Sequence, residues 1–396
     1  IAYGDARIRN FSWSQDCRST IACLKALGMR ADFGGGGEVT IQGVGGDGLK
    51  EAEDVLDAGN SGTTMRLLTG LLASRPFLSI ITGDESLRSR PMGRIIEPLR
   101  LMGGQVWGRG GDSRAPLVIR GGNLRGVRHV LPVASAQLKS ALLLAGLSAE
   151  GDTVVVEPMP SRDHTERLLG AMGASIEVDG DTIKLSPGIL HAVDVDVPGD
   201  ISAAAFWLVA GALHNEAKIT IRGVGLNPTR SGVIDVLQSM GANLRVENNR
   251  VVGGEPIADL HVESSSLTGV EIGGEVIPRM IDEIPLIALC GAMARGKTVI
   301  RDARELRVKE SDRISTTAGE LSKMGVRVDE LPDGMVVHGG ERVLGAECDS
   351  HGDHRLAMVL GIAGLIADGE TAIDNADVAD VSYSEFWSDL EQISVN

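Results

Sequence analysis

The chain has 396 residues, with 52 glycines, five Phe, four Trp and two Tyr, and a formal charge of −16 from 54 acids against 38 bases. This length suggests two domains with cores of their own, and a 43% hydrophobic fraction with a mean hydropathy of +0.07 excludes a disordered acidic chain and a small disulfide-stapled scaffold. The acidic balance argues against nucleic-acid binding through a basic face.

Cys17, Cys23, Cys290 and Cys348 form no C-x-x-C pair, which fits free thiols in a reducing, cytoplasmic compartment. The longest apolar stretches, such as Ser202–Leu213 and Ala357–Ala367, fall short of the ~20 residues needed to span a bilayer. Residues 1–10, IAYGDARIRN, have neither a basic start nor an apolar run, so no secretory signal is expected there. The bases comprise eight lysines and 30 arginines; this bias reflects either bidentate anion binding or a GC-rich genome.

A small turn followed by an alternating strand recurs along the chain: GDARI from Gly4, a weaker RPFLSI from Arg75, GDTVVV from Gly151, EAKITI from Glu216, GKTVI from Gly296 and GETAI from Gly369. A second marker lies between these, where helical runs stop at Leu27-Gly28, Met102-Gly103, Met172-Gly173, Met240-Gly241 and Met324-Gly325. Glycine just past a helix is the usual left-handed cap. Two interleaved markers predict six α/β units of about 73 residues, too long for a solenoid repeat and too short to stand alone. They are expected to assemble in threes, as domains 1–198 and 199–396 divided near Val197-Pro198-Gly199.

The polar signals collect at predicted helix starts. GNSGTTMRLLTGLL from Gly59 places hydroxyls and Gly62 before an apolar helix carrying Arg66, either a capped entry or an anion site. ESLRSRPMGR from Glu85 puts Arg88, Arg90 and Arg94 around Pro91, which is expected to start a helix. SAQLKS opens another with Ser135, Ala136 and Gln137, as caps or as substrate contacts. In PSRDHTE, Ser161 is the expected N-cap, with Arg162, Asp163, His164 and Glu166 in the first turn.

IDEIP sets Asp282 and Glu283 before an apolar helix, where a carboxylate stabilises the dipole or acts as a general base. RVKESDR places Lys309 and Arg313 four residues apart, predicted on one helical face, with Glu310 beside them. HGDHRLAM brings His351, Asp353, His354 and Arg355 to another helix start; the adjacent arginine argues against a metal. Cations at helix starts in an acidic chain suit small, multiply anionic ligands.

These seven motifs, in this order from residue 59 to 358, closely resemble the enolpyruvyl transferase family in its bacterial shikimate-pathway branch. The resemblance runs the length of the chain and implies two similar domains, each of three βαβαββ units, closing around the ligands. It implies transfer of the carboxyvinyl group of phosphoenolpyruvate to the 5-hydroxyl of shikimate 3-phosphate, with release of phosphate, no cofactor and no metal, in a cytoplasmic monomer with no nucleic-acid or membrane partner. By motif position, Gly62, Arg90, Gln137, Arg313 and Arg355 are implied to bind phosphoenolpyruvate. Ser135, Ala136, Gln137, Arg162, Asp282 and Lys309 are implied to bind shikimate 3-phosphate. Asp282 is implied to take the proton of the attacking hydroxyl, and Glu310 to exchange protons at the methylene carbon.

Three departures bear on this. The family's opening Lys-Ser motif is expected some twenty residues before GDARI, upstream of residue 1, so the second domain would lack its N-terminal contribution and the chain as written would be impaired. No lysine follows Lys323, where one subgroup has one. SRDHTE and RVKESDR resemble the glyphosate-tolerant subgroup, yet Gly62 stands where an alanine would crowd that inhibitor, so glyphosate is expected to bind. Two other readings stay open: the related transferase acting on UDP-N-acetylglucosamine, although Glu85–Gly93 holds no cysteine, and a non-catalytic ligand-binding relic.

Overall fold

Five helices of the protein end in the same way. In the computed structural model, which describes residues 1–340 and 342–394, Gly28, Gly103, Gly173, Gly241 and Gly325 have φ between +83° and +95°. Each glycine N–H donates three residues back and the next N–H five back, as in Gly173 to Gly170 and Ala174 to Leu169. These are Schellman closures, which satisfy carbonyls that the helix end leaves unbonded. The first marker is also left-handed: Gly4, Gly151, Gly296 and Gly369 have φ from +83° to +105°, and Glu216 takes the corresponding turn at +58°.

Between these turns the same sheet is built repeatedly. Leu56–Asp57, Leu78–Thr82, Arg114–Arg120 and Gln105–Gly108 lie side by side in that order, the first pair parallel and the others antiparallel. Arg128–Val130, Thr153–Val156, Thr182–Leu185 and Ile176–Asp179 repeat it. So do Glu271–Ile272, Lys297–Ile300, Gly334–His338 and Arg327–Leu331. Beside Tyr3–Arg9 the parallel edge is filled from far along the chain, by Val195–Asp196. In the fourth repeat a parallel bridge from Gly199 to Val224 holds that place, and in the last Glu347–Asp349 pairs parallel with Ala372–Asp374.

A parallel pair requires a crossover, and the crossover helices are the apolar ones: Gly62–Leu72, Ala136–Gly146, Ile201–Leu213, Ile284–Met293 and His354–Ile366. A helix apolar on every side must be buried. All of Ile201–Leu213 except Ala203 is buried, and all of Ile284–Met293 except Met293. The helices that follow, such as Gly93–Leu101 and Arg313–Lys323, bury one face only.

The chain divides into two compact units, Ile1–Val197 and Pro198–Asn396, each with its own apolar core. In the first, Gly62–Leu72 and Ala136–Gly146 run parallel and close. Arg66 meets Gln137, and one turn on, a Cβ at Gly70 would fall 2.1 Å from the Ala141 carbonyl oxygen. In the second, Ile201–Leu213, Ile284–Met293 and His354–Ile366 pack against one another. Among the described residues no helix is long and apolar enough to cross a membrane.

Candidate active site

In the first unit the site forms where the two inner helices begin. Ser61 caps Gly62–Leu72 by accepting the Thr64 N–H, and Ser135 caps Ala136–Gly146 by accepting the Leu138 N–H. Exposed N–H groups at such starts favour anions. Gln137 bridges the helices: its Oε1 accepts from Arg66 Nη1 at 2.5 Å and its Nε2 donates to Thr63 Oγ1 at 2.8 Å. Arg90 Nη2 donates to Asn60 Oδ1 at 2.6 Å and to Ser86 Oγ at 3.4 Å. Gly62 lies between the arginines, because a Cβ there would sit 2.8 Å from Arg66 Nη1 and 3.3 Å from Arg90 Nη1.

Two local expectations are corrected here. Pro91 does not itself open a helix, which begins at Gly93 after Met92. Ser161 is not an N-cap: the helix starts at His164 behind Asp163, and the Ser161 hydroxyl instead donates to Glu157. The reason is a buried lysine. Lys139 Nζ lies 2.8 Å from Glu157 and 2.7 Å from Glu166, and a buried ammonium must be paired. Burial pushes the Glu166 carboxyl above its usual range, against the pull of Lys139. This cluster ties the stretch carrying Arg162 to the helix that carries Gln137.

In the second unit three inner helices begin together. The Ser202 hydroxyl donates to Glu283, and Arg355 Nη1 lies 3.8 Å from the same Glu283 oxygen. The carboxylates fit this place, since three positive helix ends meet there. Asp282, on the turn before Ile284–Met293, accepts from Lys309 Nζ at 3.2 Å and Arg313 Nη1 at 3.1 Å. Arg313, with 2% of its side chain exposed, also bonds Asp353 at 2.7 Å and Glu310 at 2.5 Å. Burial alone would weaken its hold on a proton, but Asp353, Glu310 and Asp282 outweigh that and keep it charged. Burial opposes ionisation of Asp353 too, and Arg313 holds its carboxyl below the usual range. His354 is driven down to about 4 by burial and by Arg355, so it is neutral near pH 7.

One expected feature fails. Lys309 and Arg313 do not share a helical face, because the helix begins at Arg313 with Asp312 as its cap, and Lys309 follows the short turn Arg304–Val308. They converge on Asp282 through tertiary packing. The structure thus gathers Gly62, Arg90 and Gln137 in one unit, with Ser135 and Ala136 at the same helix start. Asp282, Lys309, Glu310, Arg313 and Arg355 gather in the other.

Sequence reading missed Arg230. Its Nη1 lies 3.8 Å from Asp282 Oδ2, and its Nη2 3.9 Å from Glu283 and 3.7 Å from Asp200. A signal was available in the repeats: Arg90, Arg162 and Arg230 each lie two or three residues before the outer helix of their repeat, and Arg313 opens its own. Among the described residues, no group of three or more His, Cys, Asp or Glu side chains is placed to hold a metal ion.

This repeated βαβαββ architecture is that of the enolpyruvyl transferases. The fold matches the enolpyruvyl transferase NikO from Streptomyces tendae with a TM-score of 0.77 at 21% identity, over 99% of this chain and 89% of that one. It matches EPSP synthase from Acinetobacter baumannii with a TM-score of 0.87 at 44% identity, over 100% and 91%. The family model for EPSP synthase (3-phosphoshikimate 1-carboxyvinyltransferase) covers residues 1–390. Relatives of that name in Bacillus cytotoxicus and Gloeobacter violaceus are 52% and 54% identical over 99% of this chain and 93% and 91% of their own lengths. The chain belongs to the EPSP synthase family.

Proposed function

We propose that this chain transfers the carboxyvinyl group of phosphoenolpyruvate to the 5-hydroxyl of shikimate 3-phosphate, releasing phosphate. The observation that carries this reading is Asp282, a carboxylate bonded to Lys309 and Arg313. An anionic substrate that competes for those cations leaves the carboxylate placed to take a proton. Gly62, Arg90, Gln137, Arg313 and Arg355 are assigned to phosphoenolpyruvate, and Ser135, Ala136, Gln137, Arg162, Asp282 and Lys309 to shikimate 3-phosphate. Each compact unit is read as one transferase domain.

Protonation of the phosphoenolpyruvate methylene leaves C2 electron-poor. The 5-hydroxyl attacks C2 while Asp282 takes its proton, giving a tetrahedral adduct. Loss of a methyl proton and departure of phosphate then restore the double bond. Glu310 suits the carbon proton transfers, because it is bonded to Arg313. When a substrate carboxylate competes for that arginine, Glu310 is held less strongly as the anion and binds a proton more readily. Glyphosate, an anion of similar size, is expected to compete at the Gly62 and Arg90 end. Four free cysteines, three of them buried, fit a cytoplasmic enzyme.

The test is phosphate release from phosphoenolpyruvate by the full-length protein, with and without shikimate 3-phosphate. Release that depends on shikimate 3-phosphate and stops on Asp282→Asn supports the reading. Release independent of it, or none, rejects it.

A further inference from the structure

Arg230 is buried and belongs to the charge cluster, yet the proposed reaction gives it no task. Its side chain is 8% exposed. Nη2 donates to the Ser202 hydroxyl at 2.5 Å, while Nη1 is buried without a hydrogen-bond acceptor, 3.8 Å from Asp282 Oδ2. The Asp282 oxygens are thus divided: Oδ1 takes Lys309 and Arg313, and Oδ2 faces Arg230. An unsatisfied buried N–H costs free energy, and a shift of under an ångström would satisfy this one. Glu283, wholly buried, holds Ser202 and faces Arg230 and Arg355, so the guanidinium cannot easily leave.

We infer that Arg230 is a positioning residue for Asp282, the counterion onto which that carboxylate settles when substrate anions draw Lys309 and Arg313 away. The inference rests on the proposed reaction. Without Arg230, the base would face two demands at once: losing its cations to the substrates and remaining ionised to accept the hydroxyl proton. Among the neighbouring charges, Glu283 is next to it in the chain, Glu310 and Asp353 reach it through Arg313, and Asp200 through Arg230, all of them carboxylates, while the positive Arg355 faces Glu283.

The experiment compares the unsubstituted protein with Arg230→Gln and Arg230→Lys. Two quantities are followed from about pH 5 to about pH 9: shikimate-3-phosphate-dependent phosphate release, and the side-chain carboxyl carbon resonance of Asp282, assigned with Asp282→Asn. In Arg230→Gln, kcat near neutrality should fall about tenfold or more. Its acid limb and the Asp282 titration should both move up by roughly one pH unit, as expected for losing a cation at this range, with both KM values nearly unchanged. Arg230→Lys should restore most of each. A raised KM with kcat and acid limb unmoved would make Arg230 a substrate ligand and overturn the inference. So would an unchanged Asp282 titration in Arg230→Gln. If Arg230→Gln does not fold, Arg230→Lys decides, since a displaced charge should move the limb in the same direction by less. An inactive unsubstituted protein rejects the reaction, while the resonance still tests the pairing on its own.

Discussion

Within their own units the arginines of the site make different contacts. In the first unit Arg66 bonds the Gln137 amide, and Arg90 bonds Asn60 and Ser86. In the second, Arg313 bonds Asp282, Glu310 and Asp353, all carboxylates. Amide and hydroxyl acceptors orient a guanidinium without neutralising it. Carboxylates neutralise it, so an anion arriving at Arg313 must displace one of them. On the proposed assignment the first unit's arginines act in binding, and the second unit's charges exchange partners as the reaction proceeds.

The largest effect expected on this contrast is in the second unit. Asp282→Asn keeps the shape and removes the proposed base, and kcat should fall by roughly 10²- to 10⁴-fold with KM values little changed, as read by steady-state phosphate release. A fall no greater than that of a surface control variant would remove Asp282 from the chemistry. Arg313→Ala should next cost about 3–5 kcal/mol in urea unfolding, since it leaves Asp353 buried and unpaired. Full stability in that variant would mean the cluster is wetter than its burial implies.

In the first unit the cost should appear in binding instead. Arg90→Ala is expected to raise KM for phosphoenolpyruvate by about tenfold or more, the loss of roughly one charge-assisted hydrogen bond, with unfolding nearly unchanged. Comparable losses of stability from Arg90→Ala and Arg313→Ala would erase the distinction. Gly62→Ala presses a methyl on the guanidinium ends of Arg66 and Arg90. It should weaken glyphosate inhibition more than it raises KM, and inhibition unaffected by it would defeat this steric account.

The smallest effect lies away from the site. Glu320 is buried, which raises its pKa, but Lys323, His351 and the Asp349 N–H hold it below the usual range. A carboxyl depressed on folding adds stability above its unfolded pKa of about 4.3, and that stability is lost as pH falls through the lower folded value. Glu320→Gln should therefore flatten the acid side of a urea-midpoint titration by the equivalent of about 1 kcal/mol. An unaltered slope would assign the acid sensitivity to another group.

Much of the fold was legible along the chain because its signals are local. A glycine past a helix needs only its own left-handed φ and the turn before it, and all five such positions adopt it. Wholly apolar runs such as Ile201–Leu213 announce a buried helix by composition alone. The motif residues were legible too, since each stands beside a helix start. Partners were not. Ser161 reads as a cap until Lys139 and Glu157 are brought beside it, and RVKESDR reads as one helix until Asp312 is seen to cap a later start.

By itself, then, the order of residues determined the repeats, the inner and outer helices, and the collection of cations at helix starts. Each of these follows from backbone geometry and periodicity within a few residues. Only the tertiary structure decided that Ser202, Arg230, Glu283 and Arg355 meet, although they come from well-separated positions in the chain. Charge pairing acts through space and depends on burial, and neither distance nor burial is written in sequence separation. Arg230 shows the difference: its place in the repeat was readable, but its position 3.8 Å from Asp282 was not.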